Sequence, residues 1–165
     1  MKSLGWVLVL LMFVAQPPKP GKVASEYDKK TDFSKYRTYT WMPGLEARVP
    51  EAHTLIVAGI DREMSGLGLT RVAGADADLT VTYHSLRSTY INLKELEKAQ
   101  RDGNKEQAPT YDLGKLVIVV HENGSKRQLW AANTAEYLRP DPAAREQTIN
   151  QAVTKIFATY PTRRK

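Results

Sequence analysis

The dipeptide Asn123-Gly124 constrains the fold more than any other feature of this chain, because it is the strongest short-range hairpin signal. The preceding residues, 116–121, are β-branched or apolar on both faces, which predicts a central strand. A two-residue loop would pair Glu122 with Ser125 and predicts a second strand over about 126–137. The apolar pairs that this register predicts are Ile118 with Leu129 and Val117 with Trp130.

Further strands are predicted upstream of the hairpin. Residues 36–42 alternate β-branched and aromatic side chains, and residues 78–84 place apolar side chains at every second position. A short strand over 23–27 precedes both. Residues 87–112 are polar and predict an excursion between strands, in which 91–101 is a short charged helix ended by Asp102-Gly103-Asn104.

Two helices are predicted from apolar stripes at helical spacing. The first spans residues 50–65 and is ended by Gly66 and Gly68. The second begins at Asp141 and Pro142, an N-cap residue followed by a first-turn proline, and stops at Pro161. The stripes are Ile56, Ile60, Met64 and Leu67 in the first helix and Ile149, Val153, Ile156, Phe157 and Tyr160 in the second.

The order of these elements is strand, helix, strand, excursion, hairpin, helix. This order predicts an α+β fold, a two-layer sandwich in which two helices pack on one face of a mostly antiparallel sheet of about four to five strands. About 140 residues follow the first 24, enough for one hydrophobic core. We therefore predict a single α/β domain over 25–165 that carries the polar excursion 87–112.

Residues 1–24 indicate export. Lys2 supplies a positive charge, and the apolar run 4–15 is shorter than the roughly 20 residues that cross a bilayer, which is typical of a signal peptide. A Pro-rich linker over 17–21 follows. The cleavage pattern is poor at Ala15 and at Ala24, so a removed signal peptide and a retained N-terminal anchor both stay open. We predict a periplasmic or cell-envelope protein that touches the membrane only through an uncleaved leader.

Composition excludes several classes of chemistry. Cysteine is absent, which excludes disulfides, thiolate nucleophiles, cysteine metal sites and acylation on cysteine. The formal charge of +6 includes three lysines among residues 1–24, which contain no acid, so 21 basic and 18 acidic residues and a charge of +3 remain. The basic residues are not clustered with aromatics, so we predict no nucleic-acid partner. The basic tail 163–165 is interpreted as a solvated end.

Four motifs follow one another over residues 23–161. They are Asp32-Phe33-Ser34-x-Tyr36-x-Thr38-Tyr39-x-Trp41, Asp76-Ala77-Asp78-Leu79-x-Val81-x-Tyr83-His84, Gly114-x-Leu116 with Leu129-Trp130-x-x-x-x-Ala135, and the helix 149–161. In this order they resemble the bacterial family called domain of unknown function 4136. The resemblance implies a cell-envelope protein, usually a lipoprotein, with a two-layer α/β domain and no established catalytic residues. The missing lipidation cysteine departs from that pattern.

Catalytic and metal-binding patterns are weak. Ser85 adjoins His84, but neighbours on a strand point to opposite faces, which argues against a Ser–His pair. His84 and His121 belong to neighbouring strands without a recognised metal-ligand spacing. Asp76 and Asp78 are best interpreted as residues that shape a turn. We predict no enzyme activity, no cofactor and no metal site, and a hydrolase that uses Asp76, Asp78 or His84 is the least favoured alternative.

Aromatic residues are the better functional candidates, because flat rings give contact area at low entropic cost. Packing beneath the helices is the competing role for the tryptophans, and a solvated loop is the competing interpretation of the excursion. The candidate binding residues are Trp41, Tyr83, His84, Tyr90, Tyr111 and Trp130. We predict a non-catalytic binding module for an envelope protein or a cell-wall component. The alternative is a small-molecule carrier or sensor with an apolar pocket between sheet and helices. The oligomeric state stays open.

Overall fold

A six-stranded mixed sheet and three helices form the part of the chain described by the computed structural model, residues 18–74, 76–103 and 108–161. The strands are β1 (Ala24–Tyr27), β2 (Thr38–Trp41), β3 (Thr70–Arg71), β4 (Leu79–Ile91), β5 (Thr110–Glu122) and β6 (Gln128–Tyr137). The helices are α1 (Pro50–Gly66), α2 (Leu93–Arg101) and α3 (Pro142–Phe157). The predicted apolar leader and the basic tail lie outside the described residues.

The sheet has the strand order β1-β6-β5-β4-β2-β3. The pairs β1–β6, β6–β5 and β5–β4 are antiparallel, whereas β2 runs parallel to both β4 and β3. The α+β class is therefore confirmed, and the predicted counts of four to five strands and two helices are too low. Strand β3 has two residues, which is too short to give a pattern in sequence. Among the described helices, none is both long and apolar enough to cross a membrane.

The core lies between one face of the sheet and the helices α1 and α3. Trp130 of β6 has no exposed surface, and its ring centroid lies 5.4 Å from that of Phe157 and 5.2 Å from that of Tyr160. Helix α3 ends at Phe157, so Tyr160 is buried from the turn beyond the helix and not from the predicted helical stripe. The other fully buried core residues include Ile60, Met64, Leu79, Val81, Ile118, Val120 and Ile156.

Strands β4 and β5 are longer than predicted. They pair along thirteen residues each, from Leu79 opposite Glu122 to Ile91 opposite Thr110. Residues 87–91 and 110–112, predicted as part of the excursion, therefore belong to the sheet. Their polar side chains are compatible with strands because helices do not cover this end of the sheet. The short charged helix predicted within 91–101 is present as α2.

The predicted register of the β5–β6 hairpin is wrong by three residues. Ile118 lies opposite Ala132 instead of Leu129, and Trp130 lies opposite Val120 instead of Val117. The turn is longer than two residues, since the N–H of Glu122 donates to the carbonyl of Arg127 at 2.9 Å. The ladder is also irregular between Val120 and His121.

The side chain of Asn123 explains the longer turn. Its amide donates to the carbonyl of Ala77 at 2.9 Å, and its backbone N–H donates to the carbonyl of Asp78 at 2.9 Å. The residue is thereby held against the segment that enters β4, and Lys126 takes the positive φ of 57° in the turn. A contact distant in sequence has overridden the local turn preference.

Candidate functional site

A cleft of about 550 Å³ opens between the sheet and the first halves of α1 and α3. It exists because β4, β5 and β6 extend past the packed core while the side chains at this level are small, notably Ala52, Gly114 and Ala152. A Cβ on Gly114 would lie 2.6 Å from Cδ2 of Leu138, so a larger residue at this position would displace the end of that side chain. The volume falls within the roughly 300–1,000 Å³ typical of ligand pockets.

The cleft combines apolar walls with a cationic lining. Helices α1 and α3 contribute aliphatic side chains. The charges come from the ends of β4, β5 and β6 that extend past the core, from the segments that precede the two helices and from the first turn of α3. The main apolar residues are Val49, Ala52, Ile56, Leu116, Leu138, Ile149 and Ala152. The charged residues are Arg48, Arg87, Lys115, Arg139 and Arg145 against Asp112 and Glu136.

Both carboxylates of the cleft are already paired. Asp112 accepts hydrogen bonds from Thr89 and Arg87, which together hold its pKa below the usual range. Glu136 accepts from Lys155 Nζ at 3.3 Å. The acidic groups are therefore neutralised locally, and the lining keeps a surplus of positive charge.

The remaining cations of the cleft differ in their surroundings. Arg145 donates to the backbone carbonyls of Arg139 and Pro140 at 3.3 and 3.0 Å, which fixes the loop that enters α3. Arg48, Lys115 and Arg139 form no side-chain ion pair with the described residues. Lys115 alternates with the core-facing Leu116 on β5, so its side chain points to the opposite face of the sheet. The side chains of Arg48 and Arg139 are thus the two that are available to an anion in the cleft.

A second surface lies on the distal hairpin arm, which we define as residues 87–91, α2 and residues 110–112. Tyr90 and Tyr111 are partners across the β4–β5 ladder, and their rings stack at 5.6 Å with an interplanar angle of 25°. Tyr137 of β6 meets Tyr111 edge to face, also at 5.6 Å. The sequence prediction thus placed two members of a cluster of three tyrosines, and it missed Tyr137.

Aliphatic side chains extend this surface at the tip of the arm. Ile91 is 52% exposed and Leu93 is 66% exposed. Helix α2 begins at an Asn92 cap, whose side chain accepts from the N–H of Glu95 at 3.4 Å, and none of its residues is buried. The helix is thus formed locally, with Leu93 exposed and Leu96 half-buried.

Two other candidate binding residues stabilise the first helix. Tyr83 is buried, which raises its pKa, and its hydroxyl accepts from the N–H of Ala47 at 3.1 Å and lies 2.6 Å from His53 Nδ1. Trp41 is half-buried and donates from Nε1 to Asp61 at 3.0 Å. Both contacts join the sheet to α1 or to the segment before it, so they favour a structural role.

His84 and Trp130 lie apart from these residues. His84 follows Tyr83 on β4 and faces the opposite side of the sheet, where its Nδ1 accepts from the N–H of Leu45 at 3.1 Å. Trp130 is completely buried, which favours its alternative role in packing. The six predicted residues therefore form no common site, and only Tyr90 and Tyr111 share an accessible surface.

The residues proposed for a hydrolase are also separated or engaged. Asp78 accepts from the N–H groups of Arg37 and Thr38 at 2.8 and 2.9 Å, which lower its pKa and tie β2 to the start of β4. Ser85 follows His84 along β4, so their side chains point to opposite faces. No cluster of three metal-ligating side chains occurs within residues 18–74, 76–103 and 108–161.

The cleft was not predicted residue by residue from sequence. Its cations are spread along the chain from Arg48 to Arg145 and share no motif. They converge because the distal strands and the starts of α1 and α3 meet at one end of the molecule. The signal available in sequence was the general expectation of a pocket between sheet and helices.

These features define a two-layer α+β domain with two packed helices on one face of a mixed sheet. The chain belongs to the family described as Domain of unknown function (DUF4136), whose sequence profile matches residues 23–162. This match confirms the resemblance found in the four motifs.

Solved structures share the fold at low sequence identity. A PDZ domain protein from Parabacteroides distasonis has a TM-score of 0.57 and 15% identity over 84% of this chain, which spans 35% of that protein. The PelC dodecamer from Paraburkholderia phytofirmans has a TM-score of 0.53 and 8% identity, covering 83% of this chain and 94% of that one. At these identities the likeness concerns the fold alone. No curated protein matches this chain.

Proposed function

We propose that this protein is an exported, non-catalytic binding module of the cell envelope that docks onto another envelope protein through the distal hairpin arm. The observation that carries the proposal is the exposure of the arm, where the tyrosine cluster lies on one face of the sheet and the side chains of Ile91 and Leu93 are exposed at the tip. Tyrosine is enriched among the residues that dominate protein interfaces, and exposed apolar surface of this kind marks interaction sites.

Helix α2 favours a protein partner over a sugar polymer. Leu93 and Leu96 lie three positions apart and share one side of the helix, while Lys94, Glu95 and Lys98 supply charges of both signs. Such a helix suits an apolar groove on a second protein. Tyr90 and Tyr111 stack on each other, which leaves less ring surface for a sugar to cover.

Site-specific photo-crosslinking in cells tests this docking. A benzophenone amino acid at position 93 of the full-length chain should give a discrete adduct with an envelope protein. The same probe at position 45 is the matched control, since Leu45 is 53% exposed and bonds to Ser85, six strand residues before Ile91 at the tip of the arm. Adducts that are identical at both positions, or absent at position 93, would contradict the docking surface. An adduct with cell-wall polymer at position 93 would replace the protein partner by a cell-wall component.

Export is supported by the leader pattern and by the family resemblance. Cell fractionation and intact-mass measurement of the full-length product test it together. We expect the protein in the periplasmic or envelope fraction, either shortened by the leader or carrying it as an anchor. A cytoplasmic protein that retains residues 1–24 would contradict export.

The cleft supports a second candidate function, a small-molecule carrier or sensor. Its volume and its largely apolar walls match the pocket that this alternative requires. The two functions centre on different surfaces, because the cleft lies between the layers and Leu93 lies at the tip of the arm, although Arg87, Asp112 and Tyr137 border both. A protein that carries a ligand while docked to a partner would use both.

A further inference from the structure

We propose that the cleft binds an amphipathic anion, a molecule with an alkyl chain and one acidic head group that is a carboxylate or a phosphate. This inference rests on the carrier function proposed above and names its ligand class. It is independent of the docking surface on the hairpin arm, so each proposal can fail without the other.

The walls of the cleft fit the alkyl chain. Ile56 and Ala52 of α1 face Ile149 and Ala152 of α3, and Leu116 of β5 lies between them on the sheet side. Burial of apolar surface contributes roughly 25 cal/mol per Å², so a chain of several methylene groups gains appreciably from entering this space. A fully polar ligand would leave these walls without a partner.

The charges of the cleft fit an acidic head group. Asp112 and Glu136 are each paired with a cation, so a positively charged head group would find no free carboxylate among them. Arg48 and Arg139 have no ion-pair partner among the described residues, and both line the cleft. A negative head group would therefore gain attraction without breaking an existing ion pair.

The start of α1 adds to this preference. Val49 occupies the N-cap position and has no side-chain acceptor, so no side chain caps the first turn of the helix. The start of helix α3, by contrast, is capped, because the Asp141 side chain accepts a hydrogen bond from the N–H of Ala144 at 2.8 Å. The partial positive charge of the uncapped α1 terminus lies beside Arg48 at the mouth of the cleft.

Calorimetric titration of the full-length chain, purified without detergent, tests the ligand class. The probes are dodecanoate, dodecyl phosphate, 1-dodecanol and dodecyltrimethylammonium, which share one chain length and differ in the head group. We expect the anions to bind at least tenfold more tightly than the alcohol, and the cation to bind most weakly. No binding of either anion, or equal binding of the anion and the cation, would overturn the proposal. Tighter binding of dodecanoate indicates a free fatty acid, and tighter binding of dodecyl phosphate indicates a phospholipid head group.

A charge variant tests the role of the unpaired cations. Arg48→Gln with Arg139→Gln should weaken dodecanoate binding about tenfold or more and leave 1-dodecanol unchanged, because only the anion uses the charges. The control has the same net charge and carries Lys29→Gln with Lys30→Gln, at exposed positions outside the cleft. Equal weakening in both variants would show a nonspecific charge effect and would contradict the site.

A blocking variant tests the location. Ala52→Phe places a ring in the cleft and should abolish binding of both dodecanoate and 1-dodecanol. Ala58→Phe is the matched control, since Ala58 is an exposed residue of the same helix that does not line the cleft. Circular dichroism checks that both variants are folded. Unchanged binding in folded Ala52→Phe would overturn the proposed site, while the crosslink from position 93 would still report separately on docking.

Discussion

At the residue scale, aromatic side chains of this protein divide between the core and the distal surface. Trp130 is enclosed by Phe157 and Tyr160, whereas Tyr90 and Tyr111 stack on a part of the sheet that no helix covers. The difference follows from the face of the sheet, because Tyr111 lies an odd number of positions from Val120, the residue opposite Trp130, and so points away from α1 and α3. Residue type alone therefore does not tell a packing aromatic from a binding one.

Trp130→Ala should destabilise the fold by about 3–5 kcal/mol, because it removes a fully buried ring and leaves a cavity. Trp130→Phe is the matched variant. It should cost less, since it keeps an aromatic ring and removes an Nε1 donor that has no hydrogen-bond partner among the described residues. Urea denaturation measures both free energies of unfolding. A loss below about 1 kcal/mol for Trp130→Ala would contradict its place in the core.

Glu122 should make the stability of the fold depend on pH. Its carboxylate accepts from Ser125 at 2.6 Å and from Tyr36 at 2.8 Å, and these hydrogen bonds lower its pKa from 4.5 to about 2. Because the pKa of Glu122 is lower in the folded state, its carboxylate stabilises the fold above pH 4.5. This contribution to the free energy of unfolding is lost as the pH falls from 4.5 towards 2.

Urea denaturation at pH 6 and pH 3 tests this linkage. Wild type should lose more stability between the two pH values than Glu122→Gln, because the amide does not titrate. Glu97→Gln on α2 is the control and should behave as wild type, since Glu97 is exposed and ends no strand. An identical loss in Glu122→Gln and wild type would show that this carboxylate does not contribute.

At the element scale, sequence predicted strands and helices where a local pattern matched the burial. Residues 78–84 alternate because one face meets the helices, and the start of α3 was marked by Asp141 and Pro142. Residues 87–91 lack such a pattern because this end of the sheet has no helical cover, so their strand was interpreted as an excursion. Exposed strands carry little hydrophobic signal.

The hairpin register shows why a local turn signal was insufficient. Asn123-Gly124 predicts a two-residue turn, but Asn123 bonds to Ala77 and Asp78, which are more than forty positions earlier in the chain. That contact fixes the position of the turn from outside the hairpin. Both the predicted and the observed register pair apolar residues of β5 with apolar residues of β6. The hydrophobic pattern therefore does not distinguish the two registers.

At the scale of the whole molecule, the unequal lengths of the two layers create both candidate sites. The distal strands overrun α1 and α3, which leaves the cleft between the layers and the hairpin arm beyond them. Sequence predicted the class of this fold because each layer has its own periodicity. It did not predict where the helices end relative to the strands. The cleft cations come together only because the strands extend past the helices.

Helix α2 and its flanking loops should be dispensable for folding. Replacement of residues 92–109 by Asn-Gly keeps the pairing of Ile91 with Thr110 and supplies the preferred two-residue turn. We expect the free energy of unfolding to change by less than about 1 kcal/mol, because no residue of α2 is buried and a shorter loop costs less closure entropy. Urea denaturation measures this change.

The same variant separates the two proposed functions. Since neither α2 nor the replaced residues line the cleft, dodecanoate should bind as it does to wild type. Docking to the envelope partner should be lost, which a benzophenone probe at position 137 measures in both chains, because Tyr137 borders the arm and is retained. A loss of several kcal/mol in stability would show that α2 supports the core. Retention of the crosslink would place the partner on the tyrosine cluster alone and would exclude α2 from the interface.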